Sequence, residues 1–202
     1  MTFEPSIDPP SLWASTYSGL THTQMIGIGS VISAWTVLEI ATQQALCLLA
    51  QTPSVLGQAL TDDLGPDARI RALKRLCDTW LAILGDERDE EKSAIAETSN
   101  VCRWFEQNKT KRNQIVHYFW LRISDEEIVG SKYSTKPYAA DKVQRERYIT
   151  MSTSDLTTFA KEVSERADSL LGLTLRLGLL PSWPHTSPMP GHPRDKNGSA
   201  TD

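Results

Sequence analysis

The chain lacks several features that mark particular classes of protein. It has no excess of positive charge, because 21 Lys and Arg are set against 25 Asp and Glu, a formal net charge of -4 over 202 residues. Proteins that coat nucleic acids or membranes by bulk charge carry a clear surplus of Lys and Arg, so we expect no such coating and allow only a local basic site. The length fits one domain.

Cysteines are few and are not grouped. Cys47, Cys77 and Cys102 each lie alone in an apolar stretch. Disulfide frameworks and zinc clusters need cysteines at paired spacings, so the sequence predicts neither of them. We also expect no other metal and no cofactor. Isolated thiols favour a reducing, cytoplasmic environment.

Targeting and cofactor motifs are also missing. The first residues lack the basic start and apolar run of a signal peptide. The most apolar stretch, residues 26–50, is interrupted by Glu39, Gln43 and Gln44, so we expect no membrane span and no membrane partner. The Gly-Ile-Gly sequence at residues 27–29 lacks the third glycine and the preceding strand of a dinucleotide-binding loop, which excludes that class.

What the chain does have is a series of amphipathic segments. Apolar residues recur at intervals of three and four, the spacing of one helix face. The predicted helices span about residues 23–51, 54–64, 66–84, 86–119 and 155–177. Ser152, Ser154 and Asp155 offer capping groups for the last of these helices, and Gly178 and Pro181 end it. The pattern therefore predicts an all-α fold, an up-and-down helical bundle of four to five helices.

The helical period disappears between residues 120 and 150. Two short alternating pieces, residues 121–123 and 145–149, flank a polar stretch there, so we expect a small β-hairpin inserted before the last helix. Residues 1–20 read as an irregular N-terminal arm. Residues 181–202 hold five of the eleven prolines and are expected to form a disordered tail. The helical domain would then cover residues 21–180.

The helix predicted at residues 86–119 carries the strongest candidate site. Lys109 and Arg112 interrupt its apolar face, and a charge there is costly unless it is paired or faces a polar cavity. In one interpretation, basic residues in the second half of the helix complement its dipole. In the other, Arg112, Asn113 and His117 surround a phosphate, since Arg offers a permanent cationic fork and His titrates near neutrality.

Helical geometry limits what this segment can do alone. Asn113 and His117 are four residues apart, about 40° around the helix axis and roughly 6 Å along it, so they point to one side. Arg112 and His117 are about 140° apart and converge only through the length of the Arg side chain. Two copies facing each other across a two-fold axis would bring both pairs into one groove, so we expect a homodimer.

Residues 112–117, Arg-Asn-Gln-Ile-Val-His, resemble the signature of the HEPN superfamily (higher eukaryotes and prokaryotes nucleotide-binding). That signature is an Arg, four to six residues and then a His, often with a polar residue such as Asn directly after the Arg. The resemblance covers roughly residues 21–180 and includes Trp35 and Glu39 on the first helix. Many members are metal-independent endoribonucleases that act as dimers, often as toxins or in defence systems. Others are inactive and serve as interaction or nucleotide-binding modules.

The resemblance implies cleavage of RNA by attack of a ribose 2′-hydroxyl. His117 would act as general base or acid, Arg112 would hold the scissile phosphate, and Asn113 would orient one of them. The implied partners are RNA, a second copy, and an antitoxin or other regulatory protein. Two alternatives stay open: a catalytically inactive dimeric module of the same fold, and an unrelated helical bundle with a chance motif.

Other side chains have supporting roles in this hypothesis. Glu39 lies at the border of an apolar face, where its carboxylate reaches solvent, caps a neighbouring helix, or pairs with Arg112 or Lys109 across the bundle. Lys111, Arg145 and Arg147 are candidate substrate-binding cations, although solvated charges are the default on a surface strand. Trp183, in the predicted tail, is either a docking anchor for a partner or without a role.

Overall fold

The computed structural model describes residues 19–132 and 148–180. Five helices and three strands lie in these ranges: α1 (His22–Leu49), α2 (Ser54–Thr61), α3 (Pro66–Ile83), α4 (Asp89–His117), β1 (Phe119–Arg122), β2 (Glu127–Ser131), β3 (Tyr148–Ser152) and α5 (Thr153–Leu179). The prediction of an all-α bundle with a small β insertion before the last helix is confirmed. The predictions for residues 1–18 and for the tail fall outside the described residues.

The central helix α1 begins at a capping box. The hydroxyl of Thr21 accepts from the backbone N–H of Gln24, whose side chain accepts in turn from the backbone N–H of Thr21. The spacing of apolar residues by three and four predicts Ile32 on the buried face of α1, but the face is rotated by one position in this part of the helix: Val31 is 0% exposed and Ile32 is 40% exposed. Apolar residues lie on nearly every side of α1. Their spacing therefore does not decide which of two adjacent faces is buried.

By length and composition, α1 could also cross a membrane, with a mean hydropathy of 1.5 over its most apolar window. The polar residues at positions 39, 43 and 44 do not lower its hydropathy below that of a membrane helix, and the expectation of no membrane span stays a prediction. The core helix of a soluble protein meets the same two criteria. In this structure Val31, Trp35 and Leu38 are buried among the other helices.

Helices α1 and α5 form the most extensive helix pair and run in the same direction. Near their starts, a Cβ atom placed on Gly27 would lie 3.2 Å from the Cβ atom of Leu156. Near their ends, a Cβ atom on Gly178 would lie 3.9 Å from Leu48. Glycine at position 27 therefore permits a close approach of the two backbones near their starts.

Helices α3 and α4 pack against each other in opposite directions, since Asp67 pairs with Lys109 and Lys74 pairs with Glu106. Trp35 of α1 fills the centre of the bundle. Its ring centroid lies 4.6 Å from that of Phe105 on α4 and 6.3 Å from that of Phe159 on α5. One aromatic cluster therefore joins three of the four long helices.

The β insertion has three strands where the sequence predicted a two-stranded hairpin. The strands pair antiparallel in the order β1, β2, β3. The predicted pieces 121–123 and 145–149 overlap β1 and β3, while β2 was missed. Gly130 lies in β2 opposite Trp120, where a Cβ atom would come within 2.7 Å of the indole ring. Because glycine is more typical of turns and loops than of strands, the sequence of β2 reads as part of a loop.

The sheet is tied to α1 by one buried amide. The side-chain nitrogen of Gln24 donates to the backbone oxygens of Ser124 and Asp125, at 2.9 and 3.1 Å, in the turn between β1 and β2. A buried amide needs such partners, because an unpaired one costs about 1–3 kcal/mol. These two bonds join the turn between β1 and β2 to the start of α1.

Candidate functional site

Arg112 lies between α4 and α1, where Glu39 pairs with it. Its Nη2 atom is 3.3 Å from Oε1 of Glu39, and the two side chains are only 24% and 23% exposed. The guanidinium carbon lies 5.9 Å from the centroid of the Trp35 ring. The predicted pairing of Glu39 with Arg112 is confirmed, and the carboxylate neutralises the cation that interrupts the apolar face of α4.

Asn113 extends this pair towards solvent. Its Oδ1 atom accepts a hydrogen bond of 3.0 Å from Nη1 of Arg112, and the residue is exposed. Because the oxygen is engaged, the amide group keeps both of its N–H donors for another partner. Arg112 also has donors left: two of its five N–H groups are used in these bonds, and its buried Nε atom has no partner among the described residues.

These residues border an open pocket of about 270 Å³. Trp35, Glu39, Phe105, Arg112 and Asn113 line it from α1 and α4, and residues 65–67 at the start of α3 line it from the other side.

The second cation of this pocket is Lys109, whose partner is Asp67 at 3.0 Å, not Glu39. Two cations and two carboxylates therefore border the pocket, and their formal charges cancel. An anionic ligand would be attracted by Arg112 and Lys109 against the repulsion of Glu39 and Asp67.

His117 is the last residue of α4 and is exposed. It is not among the residues that line the Arg112 pocket. Its spacing from Asn113 keeps the two side chains on one side of the helix. One protomer therefore brings Arg112 and Asn113 together and leaves His117 outside their pocket.

Lys111 faces a different neighbour from Arg112. Its ammonium nitrogen lies 4.4 Å from the centroid of the Phe159 ring on α5, a cation–π contact. The pKa of nearby Asp155 is lowered mainly by hydrogen bonds from Ser152 and to a smaller extent by the charge of Lys111. A role for Lys111 in substrate binding stays a prediction, and Arg145 and Arg147 lie outside the described residues.

The three cysteines are free and buried. Burial raises the pKa of the Cys77 thiol far above its ordinary value and that of Cys102 to about 12, so both remain protonated near neutral pH. Within residues 19–132 and 148–180, no group of three or more His, Cys, Asp or Glu side chains is placed to hold a metal ion.

Two features of the pocket were not predicted. Asp67 pairs with Lys109 across 42 residues of sequence, and a surface carboxylate at the start of a helix gives no signal of such a partner. Trp35 and Phe105 are buried in the core and line the pocket as well. Only the three-dimensional packing of α1, α3 and α4 reveals the pocket.

Comparison with known proteins finds no matching protein-family model, no matching curated protein and no matching solved structure.

Proposed function

We propose that the protein is a metal-independent endoribonuclease of HEPN type that acts as a homodimer in the cytoplasm, in the manner of a toxin or defence effector restrained by a partner protein. One observation carries the proposal: Arg112 is held by Glu39 and bonded to the exposed Asn113, with an exposed His117 one helical turn further on. A cation, an amide and an imidazole at this spacing suit a phosphodiester.

In this proposal, His117 removes the proton from a ribose 2′-hydroxyl, whose oxygen then attacks the neighbouring phosphorus. A bond forms between that oxygen and phosphorus, and the bond from phosphorus to the 5′-oxygen of the next nucleotide breaks. The products are a 2′,3′-cyclic phosphate and a 5′-hydroxyl, which receives its proton from an imidazolium. Arg112 stabilises the charge that develops on the phosphate oxygens, and Asn113 orients the guanidinium group of Arg112.

Dimerisation supplies what one protomer lacks. Because His117 lies outside the Arg112 pocket, a second copy related by a two-fold axis would place its own His117 and Asn113 opposite the first set. Two imidazoles in one groove provide a base for the attacking oxygen and an acid for the leaving oxygen.

A cleavage assay with a matched histidine control tests this function. Purified protein is incubated with a mixed RNA substrate in the presence of EDTA. His117→Ala is expected to lower the cleavage rate by about 10²- to 10⁴-fold, the usual contribution of a general acid or base. His22→Ala, an exposed histidine at the start of α1, is expected to leave the rate unchanged. Undiminished cleavage by His117→Ala would refute the proposal.

A second function is favoured by the ion pair itself. Glu39 already neutralises Arg112. In this second function the ion pair has a purely structural role, which is to join α4 to α1. The protein would then be a catalytically inactive, HEPN-like module that binds a protein or a nucleotide as a dimer. Absence of cleavage by the unchanged protein, together with saturable binding of a mononucleotide that is lost in Arg112→Ala, would favour this function over the first.

A further inference from the structure

Helix α2 turns the side that carries its small residues towards the bundle. Gly57 packs on Cys47, where a Cβ atom would come within 2.3 Å of the sulfur, and Thr61 is buried beside it. The aliphatic residues Val55, Leu56 and Leu60 point outwards, and Leu60 is 74% exposed. An amphipathic helix normally buries such residues, so this arrangement leaves an apolar surface at this end of the molecule.

A groove runs beside this surface. It has a volume of about 280 Å³ and lies where α2, the second half of α1 and the last turns of α5 meet. Ile40, Cys47 and Leu48 provide its apolar lining, while the amides of Gln44 and Gln58 and the hydroxyl of Thr174 border it. None of the residues that line the groove is charged. An apolar group that carries one hydrogen-bond donor fits this chemistry.

The chain itself continues from the edge of this groove. Helix α5 ends at Leu179, beyond Gly178, which lies next to Leu48. Residues 181–202 follow, and Trp183 is the large aromatic residue among them, three positions after Leu180. Three extended residues span about 10 Å, and Thr174 lies roughly 9 Å back along the helix from Leu180. Trp183 is therefore within reach of the groove.

The chemistry of the Trp183 side chain also matches the lining of the groove. An indole has an apolar body and one N–H donor, which the side-chain oxygens of Gln44 or Gln58 can accept. A cavity of about 150 Å³ holds benzene, so a volume of about 280 Å³ has room for the larger indole. Pro184 disfavours helical backbone at Trp183, which precedes it, and Pro181 fixes its own φ, so the chain has fewer conformations to lose on docking.

We propose that Trp183 docks into the groove between α1, α2 and α5 of its own chain. The docked indole covers Ile40 and Leu48 and fixes the path of the chain after Leu180. This gives the exposed end of the bundle an intramolecular partner, and residues beyond Pro184 then extend from a fixed point.

Fluorine NMR of the 202-residue chain tests this docking. The chain has six tryptophans, and 5-fluorotryptophan labelling gives each of them a resonance. The Trp183 signal is the one lost in Trp183→Phe. Its shift between H2O and D2O reports solvent contact, and we expect it to be as small as the shifts of the buried Trp35 and Trp120. A Trp183 signal with the full shift of an exposed indole would overturn the proposal.

Two matched substitutions on α1 locate the docking site. Ile40→Lys places a charge in the groove and is expected to give Trp183 the solvent shift of an exposed indole. Ile26→Lys changes the same residue type on the same helix, similarly exposed but outside the groove, and is expected to change nothing. If the Trp35 and Trp120 resonances also change in Ile40→Lys, that substitution has disturbed the core. Gln44→Lys, at an exposed position in the groove, is then used in its place.

Two further results would refute the intramolecular arrangement. Protection of Trp183 that persists in both groove variants would mean that the indole is buried elsewhere. Protection that disappears on dilution of the protein would mean that a second copy supplies the contact.

Discussion

Replacing Glu39 with Gln removes the charge of the Glu39–Arg112 pair and retains an oxygen that accepts the same hydrogen bond. The pair lies 3.3 Å apart between side chains that are 24% and 23% exposed. It is therefore neither a solvated surface pair nor a fully buried one, and its contribution to folding should fall between the two limits.

The structure sets the size of the effect. At an effective dielectric constant of about 20, unit charges 3.3 Å apart attract by about 5 kcal/mol, most of which is offset by the loss of hydration. Solvated pairs contribute about 0–1 kcal/mol, whereas breaking a buried pair costs about 3–5 kcal/mol. We expect Glu39→Gln to lower the free energy of unfolding by about 1–2 kcal/mol, measured by urea denaturation, and Tm by about 3–6 °C.

A second ion pair provides the matched control. Lys74 and Glu106 are also 3.3 Å apart, but their side chains are 38% and 36% exposed. Glu106→Gln should therefore cost less than about 0.5 kcal/mol. A double-mutant cycle with Glu39→Gln and Arg112→Met should give a coupling energy of about 1–2 kcal/mol. Equal losses at the two glutamates, or a coupling within about 0.3 kcal/mol of zero, would show that partial burial does not strengthen this pair.

Two further predictions concern the framework around the site. Gly130→Ala pushes a methyl group against the Trp120 ring and should lower the free energy of unfolding, measured by urea denaturation, by about 1–3 kcal/mol. Gly29→Ala, with open space around it on α1, should raise that free energy by about 0.5–1 kcal/mol. An unchanged stability in Gly130→Ala would contradict the packing of Gly130 on Trp120. Ser152→Ala removes the cap of α5 and should cost about 1 kcal/mol at pH 7. The pKa of Asp155 is lowered in the folded state by its bonds to Ser152, so its contribution is present above the unfolded pKa of about 3.9 and is lost as pH falls through the folded pKa. Denaturation followed by circular dichroism from pH 7 to pH 2 should show a shallower loss of stability in Ser152→Ala, and an unchanged acid profile would contradict this.

Much of the helical framework could be predicted because its signals are local. The capping box at Ser152, the proline in the first turn of α3 and the regular spacing on α4 each act within a few residues. The strand β2 carries no such signal, since Gly130 is present to accommodate Trp120 ten residues away. Likewise, the burial of Gln24 depends on backbone oxygens a hundred residues later in the chain.

The candidate site was predictable in part for the same reason. A charge on the apolar face of α4 must have a partner, and Glu39, near the apolar face of α1, was a suitable candidate. No such rule points to Asp67 as the partner of Lys109, because both residues are accessible to water and neither requires the other. The position of His117 outside the pocket depends on where α3 begins relative to α4, a tertiary relation that spacing along one helix does not contain.

The parallel pairing of α1 with α5 determines when the chain can fold during synthesis. Gly27 and Leu156 meet across about 130 residues, which a ribosome translates in roughly 6 to 26 s at 5–20 residues per second. Throughout that interval Trp35 and Leu38 lack α5, against which α1 makes its most extensive contacts. The nascent chain therefore exposes the side of α1 that faces α5 until this last helix has emerged.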